Sequence, residues 1–395
     1  MADEFRIEGC HGTIAEQKDE AFYDDRSDAS DDEEKGKIKF PKRLYGREKE
    51  LDKLLSVYNE VLMNCNNDRD NNNNSSTGNS PGANIIDAQD MSTYNLSQII
   101  WLGGYSGIGK TALVNEFIKR AQTKYASGIG SSSESSSSIV HASGKYSEQC
   151  NSSAPFSAIA NMLDNLVVQL SIRGSGDKTT EEKEKVWKNI NNSEYIGPGK
   201  EGNVILCSTF PGLSKLIHTD DTRNSSTETT SAQTTSLNAI KECTLELFSC
   251  ICNALDNPLI LFLDDLQWGD AASFDMLQFL LSKDHLHNII FICSFRSNEV
   301  DEDHPFTTLM NNVVKEREGS KSVDRMDLFS LSPEAITKFI ADSVKKEDDS
   351  ENEVSELGEA IYKKTMGNIF FVMQALEELV RKNVVFYDMM CFEWR

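Results

Sequence analysis

The residues whose types and spacing bear most directly on chemistry are Gly104 to Thr111, GYSGIGKT, a match to G-x-x-x-x-G-K-[ST]. Glycines at 104, 107 and 109 let a backbone turn its N–H groups inward around a phosphate, at the positive end of a following helix. In this spacing Lys110 reaches the β and γ phosphates and the Thr111 hydroxyl takes one Mg²⁺ position. Tyr105, Ser106, Ile108 and Ala112 complete the expected cradle. The flanks agree with the motif. Gln98 to Gly103 (QIIWLG) is apolar and strand-like, and Ala112 to Tyr125 has helical periodicity.

A phosphate loop of this kind needs a carboxylate for the metal. Leu259 to Asp265, LILFLDD, is an apolar strand that ends in two acids, and it lies far enough along the chain to be a neighbouring strand of the same sheet. Asp264 is expected to face Mg²⁺, through water, and Asp265 to orient or deprotonate an attacking water. Asp265 is one methylene shorter than the Glu that many ATPases carry there, so slow hydrolysis is expected. A third apolar run, Asn288 to Phe295, ends at Arg296. That guanidinium is either a sensor of the γ-phosphate or a surface charge paired with a carboxylate such as Glu299.

Apolar strands alternating with helices imply an α/β fold, a three-layer sandwich with a central parallel sheet. The first folded piece is Phe40 to Met63, with a helix burying Leu51, Leu54, Leu55, Tyr58, Val61 and Leu62. Helices are also expected over Phe156 to Ile172, Thr179 to Asn191 and Leu237 to Ala254, with a short strand over Ser138 to Ser143. The core should span residues 38–320. Residues 321–395 read as a small helical lid and the start of a further element. Residues 1–37 read as a disordered acidic tail, and 64–94, 127–137 and 218–236 as low-complexity inserts, which closure entropy tolerates at the surface.

The chain has 395 residues, a formal net charge of −23 and a mean hydropathy of −0.44. Such acidity disfavours nucleic acid and anionic membrane surfaces unless a local basic patch offsets it, and no basic run exceeds two residues. No apolar run approaches the ~18 residues of a membrane span. Nine cysteines are scattered without zinc spacing, as reduced thiols of an intracellular protein would be. The expected location is the cytoplasm, or the nucleus.

Five stretches, RLYGREKEL, GYSGIGKTAL, LFLDDLQWGDAAS, CSFRSNEV and TMGNIFFVMQALEELV, occur in that order. Together they resemble the AAA+ ATPase domain related to the origin-recognition complex, in its STAND signal-transduction branch. The resemblance implies that Tyr45, Gly46 and Arg47 pack near the adenine or phosphates. It also implies that Gln267, Trp268 and Asp270 complete the block after the acidic pair. Gly367 and Asn368 match a lid motif near the nucleotide, with Ile369 where the family usually has Pro. The implied role is a regulatory switch that binds ATP or ADP with Mg²⁺, hydrolyses ATP slowly, and works through protein partners or self-association. Two alternatives stay open: a replication-initiator-like DNA-binding ATPase, which the acidity disfavours, and a non-hydrolysing nucleotide-bound scaffold.

Overall fold

The computed structural model describes residues 38–74, 97–125, 139–148, 155–171, 178–217, 236–282, 286–318, 322–344, 351–388 and 393–394. Five parallel strands form one sheet: β1 (Gln98–Gly104), β2 (His141–Lys145), β3 (Leu259–Asp264), β4 (Ile289–Arg296) and β5 (Val323–Leu328), in the order β2-β3-β4-β1-β5. Side chains of a strand alternate between faces, and here both faces are apolar. Ile100, Leu102, Ile260, Phe262, Ile290 and Ile292 point to one side, where they meet α1 (Glu48–Asn74) and α2 (Lys110–Tyr125). Ile99, Trp101, Leu261, Leu263, Phe291 and Cys293 point to the other. There they meet α3 (Ser157–Ser171), α6 (Leu237–Cys252), α7 (Ala271–Ser282) and α8 (Pro305–Glu316), with α4 (Lys178–Asn192) and α5 (Glu201–Thr209) packed outside them. This is the three-layer sandwich that the alternating strands and helices imply.

Several elements differ from their sequence expectation. Helix α1 does not stop at Met63 but continues to Asn74. Beyond Met63, the Cys65 thiol anchors it by donating to Asn288 Oδ1 at 3.1 Å. Strand β2 begins at His141 rather than Ser138. Strand β5, VDRMDL, was not anticipated, because an edge strand with one solvated side carries charges where a central strand carries apolar residues. Its pairing with β1 carries the sheet past the boundary expected at residue 320. Helix α8 was missed too. Pro305 sits in its first turn and His304 caps it by accepting the Phe306 N–H at 3.1 Å. The acidic tail, the inserts at 127–137 and 218–235, and residues 75–94 lie outside the described residues.

The lid consists of α9 (Pro333–Ser343), α10 (Glu351–Thr365) and α11 (Ile369–Arg381) around its own apolar cluster of Leu331, Ile336, Phe339, Ile340, Ile361, Val372 and Leu376. Tyr45 from the N-terminal segment is part of that cluster and packs edge-on against Phe339. A small antiparallel pair, β6 (Tyr387–Asp388) with β7 (Glu393–Trp394), follows.

At the foot of the sheet, Asn288 ties the loop before β3 to the start of β4. Its side-chain amide donates to the carbonyls of Cys252, Leu255 and Asn257 at 3.3, 2.9 and 3.3 Å. Its own carbonyl accepts the Leu259 N–H at 2.9 Å. It does so from a left-handed backbone, φ 60°, which Asn tolerates better than other side chains. Asn288→Ala should therefore cost about 2–4 kcal/mol, from three orphaned carbonyls and a strained φ. Asn288→Gly should cost about 1 kcal/mol less, because it relieves only the strain. Guanidinium melts of the three proteins separate the two contributions; equal midpoints for Ala and Gly would remove the strain argument.

Candidate functional site

The phosphate loop leaves β1 at Gly104 and enters α2 at Lys110. Gly107 and Gly109 adopt φ of 73° and 99°, values that a Cβ would strain, which is why the motif needs glycine there. Lys110 is buried and lies along the loop, donating to the carbonyls of Gly104 and Tyr105 at 2.8 and 3.0 Å. Burial pulls its pKa down, while the carboxylates of Asp264 and Asp265 work to keep it charged. Its neighbour Thr111 donates its hydroxyl to Asp264 Oδ2 at 2.8 Å.

Three strand ends converge here because of strand order. Strand β4 lies between β1 and β3, so Arg296 pairs in register with Gly104 while Cys293 pairs with Leu263. Asp264 therefore sits beside the phosphate loop, although 153 residues separate it from Thr111. Its other oxygen, Oδ1, accepts the Ser294 hydroxyl and the Asp265 N–H, the latter at 3.1 Å. Thr111 and Asp264 supply adjacent hard oxygens of the kind Mg²⁺ takes, so the donor set fits that ion. When bound there, Mg²⁺ would neutralise phosphate charge.

Asp265 is held in the left-handed region, φ 56°, at the turn that follows β3. Its carboxylate is buried and fully engaged. Oδ1 accepts from Gln267 Nε2 at 2.9 Å and from Arg296 Nε at 3.3 Å, and Oδ2 lies 3.5 Å from Lys145 Nζ. Gln267 also accepts the Arg296 backbone N–H at 3.0 Å. Arg296 further donates to Glu299 at 3.0 Å and stacks over the Trp268 ring, its guanidinium carbon 4.3 Å from the centroid. Burial opposes its charge, but Asp265 and Glu299 outweigh that and raise its pKa. Asp270 caps α7 through Ser273 and accepts the Phe156 N–H at 3.3 Å, which ties the start of α3 to this turn.

The N-terminal segment and the lid close on the loop from the other side. The buried Arg47 donates to the carbonyls of Ile108 at 3.2 Å and Phe329 at 2.5 Å. Gly46 has φ 60° and presses close to Ala335 of the lid. The Tyr45 hydroxyl goes elsewhere, donating to Asp342 at 2.5 Å. Asn368 caps α11 and donates its amide to the Ser106 carbonyl at 2.8 Å, and the Phe370 N–H donates to the Gly107 carbonyl at 3.2 Å. Gly367 accepts the Leu331 N–H at 2.9 Å. Thus Lys110, Thr111, Asp264, Asp265 and Arg296 come together. Arg47 and Asn368 bond to carbonyls of the loop, and Tyr45 belongs to the lid core.

Two site residues escaped the sequence reading of roles. Lys145 and Ser294 are both at or near strand ends that the register places against the acidic pair. A polar residue interrupting an apolar strand, as Ser294 does in IIFICSF, was the available signal.

Residues 88–292 match the AAA ATPase domain family, and this is more than half of the chain. The chain belongs to that family. No curated protein matches it. Among solved structures, it is similar at 9% identity to one in a HORMA:CdnC:Trip13 complex from E. coli MS115-1, over 80% of this chain and 74% of that one, with a TM-score of 0.34. It is also similar to the STAND protein with a tetratricopeptide repeat sensor from Pyrococcus horikoshii, at 13% identity over 73% of this chain and 29% of that one, with a TM-score of 0.27.

The lid clip is directly testable. Asn368→Ala removes both a helix cap and the bond to Ser106, and should cost about 1–2 kcal/mol and raise hydrogen exchange in residues 369–381. Unchanged exchange in that helix would show that Asn368 does not hold the lid to the loop.

Proposed function

We propose that this AAA ATPase domain is a regulatory switch module that binds ATP or ADP with Mg²⁺ and hydrolyses ATP slowly. In this reading Gly104 to Ala112 cradle the phosphates, with Thr111 and Asp264 on the metal. Asp265 acts on the attacking water, and Arg296 responds to the γ-phosphate. The observation that carries the reading is the engagement of Asp265 by Lys145, Arg296 and Gln267. A carboxylate held by two cations and an amide has its oxygens committed to those partners rather than to an attacking water. The same two cations are the groups that a γ-phosphate attracts. Their transfer from carboxylate to phosphate would free Asp265 only when the triphosphate is present. The lid's bonds to Ser106 and Gly107 supply a route from loop conformation to a moving element. By resemblance, the output passes to protein partners or to a second copy.

The engaged Asp265 also supports a non-hydrolysing nucleotide-bound scaffold, and single-turnover kinetics distinguish the two. Lys110→Ala should weaken binding of a fluorescent ATP analogue by roughly 100-fold or more, since a buried phosphate loses its cation. Asp265→Asn should retain binding within about threefold and slow single-turnover hydrolysis by at least roughly tenfold. Equal hydrolysis rates for wild type and Asp265→Asn would leave the scaffold. Retained affinity in Lys110→Ala would overturn the assignment of the phosphate loop.

A further inference from the structure

The sequence left Arg296 two roles, a sensor of the γ-phosphate or a charge paired with Glu299, and its surroundings combine them. After β4 the chain reverses in a tight turn over residues 296–299, closed by the Glu299 N–H donating to the Arg296 carbonyl at 3.0 Å. The turn brings the Glu299 side chain back to the guanidinium, where Oε1 accepts from Nη1 at 3.0 Å. From the inner side, Asp265 Oδ1 accepts from Nε at 3.3 Å. The Trp268 ring covers a face, with its centroid 4.3 Å from the guanidinium carbon. One guanidinium is thus held by a buried carboxylate, a carboxylate at the rim and an aromatic face.

This cage stands beside the phosphate loop. Arg296 pairs in register with Gly104, and the Ser297 N–H, within the turn, donates to the Gly104 carbonyl at 3.4 Å. The two carboxylates are not equal holders. The Asp265 side chain is 8% exposed and also has Lys145 and Gln267 as partners, whereas that of Glu299 is 32% exposed. Glu299 can therefore give up the guanidinium and return to water at little cost, and Asp265 keeps other partners if the guanidinium turns away.

We propose that Glu299, with Trp268, is a positioning residue that holds the Arg296 guanidinium on Asp265 and so sets how strongly the site prefers a nucleoside triphosphate to a diphosphate. This role rests on the reading in which Arg296 answers the γ-phosphate. A γ-phosphate must draw the guanidinium away from Glu299 and the ring face, and part of its attraction is spent on that exchange. A diphosphate makes no such demand. Glu299 therefore weakens triphosphate binding and leaves diphosphate binding nearly as it was.

Affinities of the full chain for ATPγS and for ADP, measured with Mg²⁺ by competition against a fluorescent nucleotide, test this. Glu299→Gln should tighten ATPγS by roughly 3- to 10-fold and change ADP by less than about twofold. Added to Arg296→Ala, the same substitution should change nothing further, because the arginine is the group through which Glu299 acts. If Glu299 only repelled phosphate, its removal would tighten ATPγS equally with or without Arg296, and that result would overturn the proposal. Wild-type binding of both nucleotides with an unchanged ratio in Glu299→Gln would overturn it while sparing the phosphate loop. A wild type that binds neither nucleotide would overturn both. Should Glu299→Gln fail to fold, tryptophan fluorescence of the wild type decides the matter. ATPγS should change it, ADP should not, and the change should vanish in Trp268→Phe; equal signals from the two nucleotides refute the cage.

Discussion

Strand β4 lies between the strand that carries the phosphate loop and the strand that ends in the acidic pair, and the site depends on that placement. Parallel strands lie just under 5 Å apart, so one intervening strand separates Gly104 from Asp264 by about two strand spacings. Lys110 and Thr111 span that gap from the loop side, and Ser294 and Arg296 fill it from β4. With β3 directly beside β1, there would be no room for a guanidinium between them. With two strands between, the Thr111 hydroxyl could not reach Asp264.

The two acids are neighbours in sequence yet have different surroundings. Among the described residues, the donors to the Asp264 carboxylate are neutral, the hydroxyls of Thr111 and Ser294 and one N–H, an arrangement suited to a cation. Asp265, turned by its left-handed backbone, meets Lys145 and Arg296 instead. One residue of chain and one unusual φ thus divide a carboxylate held by neutral donors from one held by two cations. The lid adds a second layer of contacts. It bonds to carbonyls of the phosphate loop and leaves the N–H groups of Ser106 and Gly107 out of those bonds.

Much of this could be read without coordinates. Leu259 to Leu263 and Asn288 to Phe295 are uninterrupted apolar runs because both faces of a central strand are covered, and that burial writes itself into composition. Strand β5 and helix α8 were not legible. The former is half-exposed and charged, and the latter depends on a His304 cap and on packing of Phe306 against Trp101 and Phe295. The extension of α1 past Met63 was hidden by its Asn-rich composition, which argues against a helix except where a tertiary contact such as Cys65 with Asn288 holds it.

By itself, the sequence determined the glycine-rich loop between strand and helix, the acidic pair at a strand end, the α/β class and the AAA resemblance. Each of these rests on local spacing: glycines at positions that need positive φ, and apolar runs the length of a strand. Only the tertiary structure decided which groups meet Asp265, that Tyr45 serves the lid core, and that Asn368 clips the lid to the loop. The reason is geometric. Those contacts join residues up to 297 positions apart, or turn on a single left-handed residue, and no local pattern encodes which strand ends or helix faces the sheet order will bring together.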